Sequence, residues 1–157
     1  MRSRNVISKF LAIPLAVAAL LATLGAARVL AKGAREFAGF YRIVQATNQG
    51  DKVEVRISLR VFNYSEADVQ DATISLTSSL PHPPGAAEAW EKEQPSFQGV
   101  VLRVNEREVL PPLEGTFTVP TCEYQRWLKG AQPHFMIDYQ DAAGKSQHRP
   151  IELMRRP

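Results

Sequence analysis

The chain has 157 residues, 45% of them hydrophobic and 22% charged, with a formal net charge of +3. That is enough for one ordinary domain, too short for two substantial ones, and too apolar for wholesale disorder. The positive charge does not mark a nucleic-acid binder: Arg2, Arg4, Lys9 and Arg28 fall in a first stretch of 31 residues without an acid, and from Lys32 onward 15 basic residues face 16 acidic ones with the signs interspersed.

Residues 1–9 carry three positive charges, and residues 10–27 then run eighteen positions without a charge. This is the order of a secretory signal, a basic region followed by an apolar one. Gly25-Ala26-Ala27 before Arg28 and Val29-Leu30-Ala31 before Lys32 both satisfy the small-residue rule for cleavage. An uncleaved anchor is the alternative, since eighteen apolar residues reach the lower edge of the roughly 17–25 that cross a bilayer. Under either reading the remainder lies outside the cytoplasm. The expected organisation is therefore a hydrophobic signal or anchor helix at residues 1–31 and one domain at residues 32–157. Membrane contact is expected only through residues 1–31, if they persist.

The domain reads as successive strands. Residues 40–46 form the first, closed by the turn Asn48-Gln49-Gly50-Asp51. In residues 52–63, Val53, Val55, Ile57, Leu59 and Val61 alternate strictly with polar residues, which buries one face of a strand and wets the other. Residues 69–77, 97–104, 113–119 and 134–140 repeat the pattern, placing Ile74 and Leu76, then Val100, Leu102 and Val104, then Phe117 and Val119, then Phe135, Ile137 and Tyr139 inward. Asp141-Ala142-Ala143-Gly144-Lys145 makes a hairpin loop, and residues 147–154 return as a last strand that Pro150 places at an edge or a bulge. Two insertions break the series. Residues 80–95 open on Pro81-His82-Pro83-Pro84-Gly85 and hold a helical turn at 86–93. In residues 120–130, Tyr124, Trp127 and Leu128 share one helical face.

Seven short strands without intervening amphipathic helices predict an all-β fold, an immunoglobulin-like antiparallel β-sandwich. The alternating strand 52–63, the turn Asn63-Tyr64-Ser65 and the strand from Val69 resemble the start of exported bacterial immunoglobulin-like and fibronectin type III modules. Leu110-Pro111-Pro112-Leu113-Glu114-Gly115 before a β-branched strand resembles a later loop of theirs. The chain departs from antibody domains in lacking the cysteine pair, and its tryptophans fall in loops. The resemblance implies an architecture, and only a binding role in general.

No residues assemble into chemistry on sequence grounds. His82, His134 and His148 lack the spacing of metal ligands, and Glu66, Asp68 and Asp71 read as a solvated turn, so no metal and no cofactor is expected. Cys122 cannot form an internal disulfide and reads as a small buried hydrophobe; a thiolate pair with His134 has nothing to orient the imidazole. The pairs Glu91/Glu93 and Glu106/Glu108 read as solvating charge rather than glycosidase carboxylates. Asn63-Tyr64-Ser65 is formally a glycosylation sequon.

What remains is a surface. Trp90, Tyr124 and Trp127 lie in the two insertions, where aromatic rings can anchor a protein or glycan partner; the competing reading has Tyr124 and Trp127 capping the sandwich core. The expectation is a non-enzymatic binding or structural module of the periplasm or cell surface. A carbohydrate-binding module using these rings, and a membrane-tethered accessory subunit, are the alternatives.

Overall fold

The computed structural model describes residues 36–83, 85–105 and 111–157. These residues belong to one compact unit, Arg35–Pro157. The expected signal or anchor segment and the pair Glu106/Glu108 lie outside the described residues. Among the described residues no helix is long and apolar enough to cross a membrane.

The unit is mostly β. Its strands are β1 (Phe37–Asn48), β2 (Lys52–Asn63), β3 (Val69–Thr77), β4 (Ser96–Leu102), β5 (Leu113–Pro120), β6 (His134–Gln140) and β7 (Ser146–Arg155), with helices α1 (Ala89–Lys92) and α2 (Thr121–Leu128). The strictly alternating pattern forms β2 over the span its periodicity predicts. Val53, Val55, Ile57 and Leu59 are buried, with polar neighbours facing out.

The strands follow the order β4-β3-β6-β7-β1-β2-β5. β7 is where two antiparallel groups meet. Its residues 146–151 pair with β6, and residues 152–155 pair with β1 in parallel. This parallel pair is a correction to an all-antiparallel expectation. Alternation reports which face a residue occupies and says nothing of which strand lies beside it. Pro150 is accommodated in the half of β7 where β1 has not yet joined, consistent with its missing N–H.

The inner faces of the two groups bury a common core, forming a β-sandwich. Phe117 of β5 meets Phe135 of β6 edge to face at 5.6 Å and Phe97 of β4 at 6.0 Å. Gly39 of β1 is required by close approach: a Cβ there would stand 2.0 Å from the backbone oxygen of Arg60 on β2. Asn63, 2% exposed, ties the corner after β2 to the rest. Its Nδ2 donates to the carbonyls of Ala67 and Leu102, each at 2.9 Å, and its Oδ1 accepts from the Ser65 N–H at 2.9 Å. The sequon asparagine is thus consumed as a buried structural amide.

Candidate functional site

The two insertions close one end of the sandwich, and they do so with buried carboxylates. β3 ends at Thr77, leaving the N–H groups of Ser78 and Ser79 without strand partners. Glu91 of α1 accepts from the Ser78 N–H, and Glu123 of α2 accepts from the Ser79 N–H at 2.9 Å. Both carboxylates are inside: the Glu91 side chain is 5% exposed and Glu123 is 4% exposed. Glu91 is therefore not solvating charge, a correction to the sequence reading. Backbone donors that have lost their strand partner must be satisfied from elsewhere, and an acidic side chain supplies a strong acceptor. Glu123 also accepts from the indole N–H of Trp127 at 3.2 Å, one helical turn away. His82 adds a weaker contact, its Nε2 3.6 Å from Glu91.

Gln94 fastens this end laterally. Its amide donates to the Trp90 and Thr118 carbonyls at 2.8 and 2.9 Å and accepts from the Thr118 N–H at 2.9 Å. The side chain thus occupies part of the open edge of β5 as a neighbouring strand would.

Against this geometry the three aromatic candidates separate. Trp127 is 1% exposed and belongs to the core. Tyr124 is half-buried and meets Trp127 edge to face at 6.2 Å. Trp90 is half-buried against the core and shares no ring contact with either among the described residues. Leu128 is 50% exposed and does not share the inward face, which Glu123 and Trp127 form instead. Cys122 is exposed, again contrary to expectation. It sits one position before Glu123, and turning Glu123 and Trp127 inward carries its side chain outward.

His134, at the start of β6, places Nδ1 2.8 Å from the Thr77 hydroxyl. Desolvation holds its imidazole below the ordinary range, opposed in part by the charge of Glu91. Asp68 is used structurally, accepting from the Val104 N–H at 2.9 Å, and Asp71 lies within β3. Among the described residues no three His, Cys, Asp or Glu side chains converge as a metal set.

A second surface lies on the outer face of β1, β2 and β7, and the sequence reading missed it. Phe40 and Phe62 meet edge to face at 6.0 Å, and Phe62 and Tyr64 lie tilted to one another at 6.4 Å. The Arg156 guanidinium stands 4.1 Å from the Phe40 ring centroid. Met154 is in register with Phe40. Met154 and Tyr64, 59% and 56% exposed, are the most exposed large apolar side chains described. Arg42 and Arg60 flank the rings on the neighbouring outward positions and make no ion pair among the described residues. One signal was available: Phe62 occupies the outward parity of a strand whose inward parity runs from Val53 to Val61.

No family model matches the chain, and no curated protein matches it. Two solved structures of a GH20 exo-β-N-acetylglucosaminidase from Vibrio harveyi are similar to it in part. One is an inactive mutant and the other a complex with N-acetylglucosamine, and each covers 76% of this chain at 14% identity with a TM-score of 0.41. The chain spans 18% of the length of those chains, and a likeness of this size carries no functional argument.

Proposed function

We propose that this protein is an exported, non-enzymatic binding or structural module of the periplasm or cell surface, built as an immunoglobulin-like sandwich and docking a protein partner through its aromatic–arginine face. The carrying observation is that face: Phe40, Phe62, Tyr64 and Met154 present a contiguous apolar surface edged by Arg42, Arg60 and Arg156. Aromatic rings and arginine are the side chains that concentrate binding energy at interfaces. A monomer gains nothing by holding such a surface in water.

The immunoglobulin-like assignment draws support from the pairing order. Three strands, β1, β2 and β5, face four, β3, β4, β6 and β7, with the first strand parallel to the last. Export draws support from the basic-then-apolar order of residues 1–27.

Two measurements test the proposal. The intact mass of the protein from soluble and membrane fractions should show a soluble species beginning at Arg28 or Lys32. A full-length species in the membrane fraction would make it a tethered subunit instead, and a full-length species in the cytoplasm would defeat export. A photoreactive residue at Tyr64 should crosslink a discrete envelope protein, whereas the same residue at Thr116 of β5 should not. Equal yields from both positions would defeat the assignment of the face.

A further inference from the structure

At the end of the sandwich away from the helices, the sheet splits. β3 and β6 pair from Thr77/His134 to Thr73/Asp138 and no further, although both strands continue. The cause lies in β3. Asp71 has a φ of +50°, a left-handed conformation that costs a non-glycine residue energy, and pairing to β4 is irregular on both sides of Ala72. Across from it, Gly99 of β4 has a φ of +65°. This paired distortion carries Gln70 and Asp71 away from β6, while β6 and β7 run on together as far as Gln140 and Ser146.

The gap is a cleft of about 660 Å³, with Gln70 and Asp71 on one wall and Asp138, Gln140, Ser146 and His148 on the other. His148 and Asp138 hold one another across the β6–β7 pair at 2.5 Å between Nδ1 and Oδ1. The side chains of Gln70, Asp71, Gln140 and Ser146 are exposed and have no hydrogen-bond partner among the described residues. Bulges and left-handed residues are over-represented beside binding sites, and this one opens a cleft lined by polar groups that bond to no other described residue.

We infer that this cleft between the β3 bulge and the β6–β7 hairpin binds a neutral, hydroxyl-rich ligand, a saccharide. The lining decides the class. It contains no lysine or arginine, and its two aspartates repel an anionic ligand such as a phosphate or carboxylate. Its one large apolar side chain is Tyr139, half-buried with its ring packed edge to face on Phe37 at 5.4 Å, which leaves no apolar enclosure for an apolar ligand. Amides that donate and accept, a carboxylate that only accepts and a hydroxyl that does both call for groups able to donate and accept in turn, as sugar hydroxyls do. The cleft is separate from the aromatic–arginine face and from Trp90, so the inference stands apart from the proposed partner docking.

The test is titration of the full chain with malto-, cello- and chito-oligosaccharides, read by calorimetry and by amide chemical shifts. At least one saccharide should bind and shift the amides of Gln70, Asp71, Gln140 and Ser146. Gln140→Ala should weaken binding by about tenfold, the worth of a well-made hydrogen bond. Asp71→Gly should do the same while keeping the fold, since glycine adopts a positive φ without strain. Trp90→Ala should leave the affinity unchanged. Flat titrations across the panel would overturn the inference, as would binding that Trp90→Ala abolishes or binding of spermidine alone. Crosslinking through Tyr64 is indifferent to all of these results, so the two proposals fail separately.

Discussion

The helical end of the sandwich and the outer face of β1, β2 and β7 both carry aromatic rings, and they use them in opposite ways. At the helical end the rings lie in insertions between strands, where sequence alone leaves both exposure and capping of the core open. There Trp127 is 1% exposed, locked by Glu123, and Tyr124 packs against it. On the outer face the rings lie within or beside regular strands, at positions that do not point to the core. There Tyr64 is 56% exposed and tilted against Phe62, which meets Phe40 edge to face. An open sandwich end must be plugged, and a large ring on a short helix plugs it. A strand has two faces, and a ring at the outward parity has no core to enter.

The contrast is broken most forcefully at Trp127. Trp127→Ala should destabilise the fold by about 4 kcal/mol, because it leaves a cavity and removes the indole donor from a buried carboxylate. Chemical denaturation measures this, and a loss below about 1 kcal/mol would mean that the helical end does not seal the core. Next comes Glu123. Glu123→Ala strands the Ser79 N–H and the indole N–H, whereas Glu123→Gln keeps an acceptor oxygen and removes a buried charge. The alanine variant should be the less stable by about 2 kcal/mol. Equal stabilities would mean that the carboxylate caps nothing.

On the other face the expected effect on stability is small. Tyr64→Ser should change it by no more than about 0.5 kcal/mol, since the ring is largely in water, yet should abolish partner crosslinking from neighbouring positions. A large loss of stability would move Tyr64 from the partner side of the comparison to the core side.

The smallest effect concerns pH. Desolvation lowers the His134 imidazole in the folded chain, so the unfolded chain takes up its proton first as pH falls. The contribution is fully present above the ordinary histidine value and is lost progressively as pH falls below it. Because the residue is exposed, the change in melting temperature between pH 7.5 and 5.5 should be slight, and smaller still in His134→Gln.

Much of the fold was legible in the sequence. Strict alternation placed β2, β3 and β6 at their observed bounds, because a period of two is imposed by backbone geometry within a single strand. The turns, the hairpin at Asp141 and the edge-like setting of Pro150 followed from residues whose backbone preferences are local. What alternation cannot carry is the identity of a neighbour. The parallel contact of β1 with β7 depends on residues more than 100 positions apart in the chain, as in the pairing of Ala38 with Glu152. The burial of Glu91 and Glu123 depends likewise on where β3 happens to stop, since only the loss of strand partners at Ser78 and Ser79 gives a carboxylate a reason to be inside. The aromatic–arginine face joins the β1–β2 hairpin to β7 from the far end of the chain, and the cleft exists because one aspartate turns left-handed between two sheet neighbours. The sequence by itself determined the inward and outward faces of β2 and the inward residues of β3 and β5, because alternation follows from the local backbone, whereas Val104 lies beyond β4 and Met136 is buried against its parity. Only the tertiary structure decided which outward residues meet, and which polar groups would be left needing one another, because those depend on contacts made across the whole chain.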